Sequence, residues 1–328
     1  MSDTVFAAAS ITKMFTTTAI FKLAEDGFIR LYQTAGSILK EMDKAPYNEI
    51  TLAQLLSHTS GLYPDGGCYN EAGKISPWGY IAGRPDLPWI EAALAIGMNK
   101  KPGEQWQYCS FGFVLLGEVI ARVTGMRAEE YIRKEILEPC EMNSSGFVGY
   151  FKDQKTADNI ADRMYVHEVE DDKEAQERIT ELRTLGNSAK GSPFENVPQT
   201  AGSLVTTSAD LCNFGNMLMN GGTFKGKRIL GRRVVARMTE RFTLPTVRDY
   251  CWTAKGEERA YALGPDLRRT ADSFYSKDTF FHEGSGGCCL IVDPLEKLVA
   301  AWFVPYVNNV WSAPALYNAA AVIWSGLI

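Results

Sequence analysis

Residues 10–13, Ser10-Ile11-Thr12-Lys13, open a helical pattern whose periodic apolar positions are Met14, Ala19, Phe21 and Leu23, with Gly27 as the expected C′ residue. Ser10 reads first as an ordinary N-cap. Lys13 weakens that interpretation. The third helical position favours Glu or Gln because the helix N-terminus carries partial positive charge, so an ammonium there is electrostatically misplaced. At i and i+3 the two side chains share one face, one turn apart. The dipole and partial burial lower a lysine pKa, which lets the amine act as a base toward the serine hydroxyl. The backbone N–H of Ser10 is then available to an oxyanion. Four residues of this kind also arise by chance, so their weight depends on the rest of the chain.

Outward from this stretch, 50–57 reads as a helix and Ser60-Gly61 as a turn. Residues 63–88, rich in Gly, Pro, Tyr and Asp, read as a long loop, and 88–98 as a helix. After the turn Lys101-Pro102-Gly103, a loop over 104–110 leads to a strongly apolar helix, 111–123, capped by Ser110 and closed by Gly125. A further helix covers 128–137. Residues 151–200 are charge-rich with little periodicity, which suits a solvated excursion or a substrate-selecting lid. Helices resume over 201–220, with Ser208 as N-cap and Gly221-Gly222 as the stop, and over 230–239.

The last ninety or so residues change period. Strands are expected at 260–263, 279–283, 288–292 and 298–304, with Asp293-Pro294 turning between the last two. The final strand, apolar throughout, reads as central and buried on both faces. Ser312 is placed to cap a closing apolar helix over 313–325 that packs on the sheet. The expected fold class is therefore α+β. A mainly helical region spans 10–240, and an antiparallel sheet region combines 1–9 with 241–328.

Composition bounds the function. The 328 residues are 45% hydrophobic and 22% charged, ordinary globular values, with room for a core that needs no metal or disulfide. A net charge of -5 argues against nucleic acid as a partner. The most apolar run, 313–328, is too short to span a membrane and contains Pro314. Seven cysteines form no framework and no C-x-x-C, and three histidines form no H-E-x-x-H, so neither a metal nor another cofactor is expected. Free thiols suit a reducing compartment. The start of the chain has no basic segment followed by an apolar one, so the expected location is cytoplasmic as given, or extracytoplasmic if the true start lies upstream.

Two more stretches carry chemistry. Tyr108 follows the Pro102-Gly103 turn and immediately precedes an apolar helix. A phenol beside a lysine loses its proton more readily and can then take one from a serine. His282-Glu283-Gly284-Ser285-Gly286-Gly287 ends a strand, and its three glycines permit close backbone approach to a ligand. The Ser285 N–H is placed to be a second oxyanion donor. An ordinary half-buried aromatic and a glycine-rich turn with a surface histidine are the plainer alternatives.

Taken in this order, Ser-Lys, Tyr and His-x-Gly make the chain resemble the serine β-lactamase and penicillin-binding-protein superfamily, and within it the class C β-lactamase, DD-peptidase and esterase branch. The similarity extends to Leu55-Leu56-Ser57-His58-Thr59-Ser60-Gly61-Leu62, to Leu116-Gly117, to the stretch 201–211 and to Asn220-Gly221-Gly222, and covers about 4–304. It implies a β-lactamase/transpeptidase-like fold, with Ser10 as acylated nucleophile, Lys13 and Tyr108 sharing acid and base work, and His282 orienting Tyr108 or binding a substrate carboxylate. Ser10 and Ser285 would supply oxyanion donors, with Gly284 and Ser110 in the substrate site. His58 is expected to be structural. The substrate would be a small ester, amide or peptide.

Three departures from the family pattern matter. The motif normally Tyr-Ser-Asn or Tyr-Ala-Asn is Tyr108-Cys109-Ser110 here, which removes an amide that helps bind the acyl group. Glu283 is an acid beside the site, although strand alternation puts it opposite His282. A helix and two strands normally precede the S-x-x-K, whereas nine residues precede Ser10, so an exposed sheet edge is expected, either covered by a second subunit in a homodimer or left by a wrong or deleted gene start that impairs the protein. A non-catalytic relative that binds peptidoglycan fragments or acts as a scaffold is the rival reading; the retained Ser10, Lys13 and Tyr108 argue for chemistry.

Overall fold

The computed structural model describes residues 4–66, 76–147, 164–165, 192–251, 254–269, 273–285, 287–303, 306–307 and 313–327. The expected cap Ser312 and most of 151–200 lie outside them. The chain enters through strand β1 (Phe6–Ala7), and a single 3-10 turn, Ala9–Ile11, leads into helix α1 (Thr12–Glu25). Helix α1 is buried on nearly every side, including its three consecutive threonines. β-Branched residues disfavour helix intrinsically. Here burial and tertiary contact override that preference: Thr16 Oγ1 donates to the Thr200 carbonyl at 2.7 Å, while Thr18 Oγ1 donates back to the Met14 carbonyl of its own helix at 2.8 Å. Gly27, at φ 81°, follows the helix as expected. Ser10 is not the N-cap. It sits inside the 3-10 turn, and no side chain caps α1, which leaves the Ser10 hydroxyl for other partners.

Helices α2 (Leu52–Leu56), α3 (Pro77–Gly83) and α4 (Trp89–Leu94) follow, then strand β2 (Gln105–Trp106) and helices α5 (Ser110–Thr124) and α6 (Ala128–Ile132); α5 and α6 pack on α1, and α2 packs on α5. A reciprocal Thr51–Gln54 capping box starts α2. Helix α3 lies within the segment expected to be loop. Its Ser76-Pro77 start, with proline in the first turn, is an N-terminal signal outweighed by the surrounding glycines. Ser110 is the first residue of α5 rather than its cap. Strand β3 (Gly146–Phe147) and strand β4 (Leu204–Thr206) complete a small sheet in which β4 lies between β1 and β3. Helix α7 (Ser208–Met219) is capped by Thr207, whose Oγ1 accepts from the Asp210 N–H, one residue before the expected Ser208. Helix α8 (Arg232–Thr239) follows.

Two short strands, β5 (Arg248–Asp249) and β6 (Glu257–Glu258), extend β2 into a second small sheet. The main sheet is the antiparallel meander β7 (Phe280–Gly284), β8 (Cys288–Asp293) and β9 (Leu298–Trp302). His282 stands opposite Leu290, and Gly284 opposite Cys288. The expectation that the last strand is central is corrected. Strand β8 is the middle strand and is buried throughout, whereas β9 pairs with β8 alone among the described residues and is half-exposed. An apolar strand covered by a helix on one face looks like a central one by sequence. Helix α9 (Ala313–Ser325) closes the fold, setting Ala320 and Trp324 against Phe281, Cys289, Ile291 and Ala300. The opposite face of the sheet joins one continuous core through Phe280, Leu290 and Val292 with Phe15, Phe214 and Leu211.

No helix among the described residues is long and apolar enough to cross a membrane. Cys109, Cys140, Cys212, Cys288 and Cys289 are free thiols, but Cys251 is disulfide-bonded. That bond corrects the expectation of free thiols throughout and removes its support for a reducing compartment.

Candidate active site

The start of α1 is held from two sides. Ala9, just before Ser10, has a left-handed φ of 45°, a conformation that costs a non-glycine residue about 1–2 kcal/mol. Thr12 Oγ1 fixes the turn by donating to the Ala9 carbonyl at 2.6 Å and accepting from the Leu204 N–H at 3.1 Å. Gly284 approaches from the sheet: a Cβ there would lie 2.5 Å from the Ala8 carbonyl oxygen and 2.3 Å from Cys288 Sγ. Only glycine lets the end of β7 come this close to the turn carrying Ser10.

Lys13 is fully buried and directed along the helix face shared with Ser10. Its Nζ donates to Ser10 Oγ at 3.0 Å and to the Ala201 carbonyl at 2.8 Å. Among the described residues no carboxylate lies within ion-pair distance of it. Burial brings its pKa from 10.5 down to about 8, against an opposing pull from the Asp65 and Cys109 charges.

Tyr108 meets the same pair from the loop before α5. Its phenol hydrogen-bonds Ser10, and its ring lies 4.9 Å from Lys13 Nζ. Burial pushes its pKa well above the usual value. The expectation that this phenol loses its proton more readily is therefore corrected: burial, then the Tyr261 and Asp65 charges, outweigh the Ser10 hydrogen bond, and Tyr108 keeps its proton. His58 supports this loop. Its Nδ1 accepts the Cys109 N–H at 3.0 Å, and its ring lies 4.4 Å from that of Tyr108, with Trp106, Phe113 and Tyr261 around it. Burial and the nearby Lys13 charge hold its pKa well below the ordinary value. A neutral imidazole whose Nδ1 accepts must carry its proton on Nε2.

His282 reaches the cleft from β7. Its Nδ1 lies 2.7 Å from its neighbour's carbonyl oxygen, at Glu283, so Nδ1 carries the proton and Nε2 is an acceptor. Among the described residues Nε2 has no partner. Burial first, then the Lys13 charge, lowers the pKa to about 4. A neutral ring with an acceptor toward the cleft is a poor carboxylate ligand, which leaves hydrogen-bond acceptance from a hydroxyl or N–H as its use. Glu283 also borders the cleft, with its carboxylate 3.0 Å from the Arg268 guanidinium.

Ser10, Tyr108, His282 and Ser285 thus line one cleft half of about 330 Å³. A second half of about 270 Å³ adjoins it and takes in Ser10, Ser110, Trp78 and Ser203. Gly284 lies under the nucleophile's turn rather than in the wall. Four charged residues of these walls were not foreseen. Asp65 borders both halves, and Arg259, Asp266 and Arg268 border the larger one. Tyr63-Pro64-Asp65-Gly66 has the Pro-Asp-Gly pattern of a turn, which hid its acid among turn residues. Arg259 and Asp266, 2.6 Å apart, come from a stretch with no local pattern. Among the described residues no group of His, Cys, Asp and Glu could hold a metal ion.

Comparison with known proteins identifies the family and the fold. The sequence model of a family described as Beta-lactamase matches residues 2–321. Penicillin-binding protein 4 of Amycolatopsis lactamdurans is 25% identical over 250 residues, which cover 73% of this chain but only 57% of that protein. In structure, a penicillin-binding protein homolog from Caulobacter crescentus superposes with a TM-score of 0.72 at 20% identity, covering 99% of this chain and 84% of its own. A family VIII carboxylesterase gives 0.71 at 20% identity with the same coverage.

Proposed function

The chain belongs to the Beta-lactamase family, and from that premise we propose that it is a serine hydrolase working through an acyl-enzyme on a small ester or amide. The observation that carries this reading is a buried lysine, without a carboxylate partner among the described residues, whose Nζ is 3.0 Å from Ser10 Oγ. With a pKa near 8, about a tenth of Lys13 is neutral at pH 7, enough to serve as a base. Neutral Lys13 takes the Ser10 hydroxyl proton as Oγ attacks the carbonyl carbon. The carbonyl π electrons move onto oxygen, toward the backbone N–H groups of Ser10 and Ser285. Collapse of the intermediate breaks the bond to the leaving group, which takes its proton from Tyr108. Lys13 returns a proton to Tyr108, and a water molecule then hydrolyses the acyl-enzyme by the same route. His282 Nε2 accepts from Tyr108 or from a donor on the substrate.

Ester-like chemistry is favoured over β-lactam turnover. The family's asparagine is Ser110 here, and its hydroxyl is engaged by Asp65 at 2.5 Å. Intact-mass labelling with a fluorophosphonate and with a penicillin, using Ser10→Ala as control, tests this reading. A phosphonyl adduct at Ser10 without penicilloylation supports an esterase. No adduct with either reagent supports a non-catalytic binding protein.

The outer edge of β9 has no ladder partner among the described residues, and an apolar groove formed with Val299, Trp302, Val322 and Ile323 lies beside it. A second copy of the chain covering this edge accounts for both. Sedimentation at micromolar concentration is then expected to give a dimer, and a clean 36.3 kDa monomer overturns the pairing.

A further inference from the structure

Both halves of the cleft include Asp65, and they differ in the charged side chains that stand beside it. Tyr108, the leaving-group acid of the reading above, lies in the larger half with His282, and there Arg259 and Arg268 are matched by Asp266 and Glu283. The leaving group therefore departs into that half, and the acyl group occupies the other. In the acyl half Asp65 is the only ionised side chain among the described lining residues; Trp78, Val114, Val197 and Pro198 make up much of the rest.

Asp65 is held by hydrogen bonds, and its charge reaches Lys13 only from beyond ion-pair distance. Its Oδ1 accepts the Ser110 N–H at 2.8 Å and its Oδ2 accepts the Ser110 hydroxyl at 2.5 Å. Among the described residues no Lys, Arg or His lies within ion-pair distance of it. Because the Ser110 proton is given to Asp65, Ser110 Oγ turns only lone pairs toward the cavity. Together the two residues make a wall of acceptors where the family's amide would offer both donor and acceptor. An ammonium, with three donors and no acceptor, is the complement of such a wall. The half-buried Trp78 lines the same half, and an indole is the aromatic side chain best suited to a cation.

We propose that the acyl group of the substrate carries a protonated amine, and that Asp65, with Ser110, selects for it. This rests on the serine-hydrolase reading of the site. The bland alternative is that Asp65 only caps the start of α5 through the Ser110 N–H.

The test compares kcat/KM for the phenyl esters of 3-aminopropanoate, butanoate and hydrogen succinate, which present a cation, a neutral isostere and an anion. The wild-type protein is expected to prefer the amine over butanoate by about tenfold or more, the scale of one charge-assisted hydrogen bond, and to disfavour the succinate. Asp65→Asn retains a cap and should bring the amine-to-butanoate ratio to about 1, while Asp65→Glu should keep much of it. Comparing the ratio between proteins cancels both the intrinsic reactivity of the esters and any general loss of turnover. Equal ratios in wild type and Asp65→Asn overturn the proposal and leave Asp65 as a cap. If a fluorophosphonate labels Ser10 yet the wild-type ratio is near 1, this inference fails alone. If Ser10 is not labelled, the serine-hydrolase reading fails with it.

Discussion

Two groups of buried charge face each other across the cleft, and they are built on opposite principles. On the helical side Lys13 is buried with two neutral oxygen acceptors. On the sheet side Arg259 is buried between Asp266 at 2.6 Å and Asp249 at 3.6 Å, with its guanidinium 4.1 Å from the Trp106 ring. The first cation lowers its pKa to relieve the cost of burial. The second is buried with a carboxylate on either side. A buried charge without a countercharge becomes a reagent, and a matched one becomes a fixture.

Replacing each cation by an apolar residue of similar length should separate the two cases. Lys13→Met is expected to slow acylation of Ser10 by about 10²–10⁴-fold, read by the rate of fluorophosphonate labelling. A loss below about threefold would remove Lys13 from the mechanism. Arg259→Met leaves Asp266 and Asp249 buried without their cation and should cost about 3–5 kcal/mol in denaturant unfolding. If the two variants were equally stable, the contrast between them would be false.

Acidity probes the same contrast without mutation. If neutral Lys13 is the base, kcat/KM should rise about tenfold per pH unit below the pKa of about 8 and level off above it. Stability should also change. Below about pH 8 both folded and unfolded Lys13 hold the proton and contribute no pH dependence. Between about 8 and 10.5 the unfolded state binds more protons, so stability should rise with pH, and Lys13→Met should abolish that rise. The smallest effect is expected at Glu283→Gln. Arg268 also has Asp266 at 3.5 Å, so unfolding should shift by less than about 1 kcal/mol.

Much of this arrangement was legible in the sequence, because its key residues violate local rules. A lysine in the first turn of a helix, a tyrosine wedged between a Pro-Gly turn and an apolar run, and three glycines after a strand each stand out against propensity. The α+β class and helices α5 and α9 followed from periodicity and from Gly125. Asp65, Arg259 and Arg268 were not legible. Their chemistry exists only where distant segments meet, as between Asp65 and Ser110 across 45 positions. The position of β9 in its sheet was misread for a related reason: a run of apolar residues reports that neighbours exist, not which of them are strands. Ser10 read first as a cap and Lys13 weakened that reading, because the same side chain that satisfies a helix end can also accept from a lysine.

The close approach of Gly284 to Ala8 has a consequence for how this protein fails. The contact joins the end of the main sheet to the turn that presents Ser10, backbone against backbone, with the Cys288 thiol beside it at 3.4 Å from the Ala8 carbonyl oxygen. Loosening of the sheet against the helical body is therefore felt at the nucleophile before either core opens. On heating, the loss of Ser10 reactivity should precede the loss of secondary structure, so the site acts as the molecule's own early gauge of separation between its two parts.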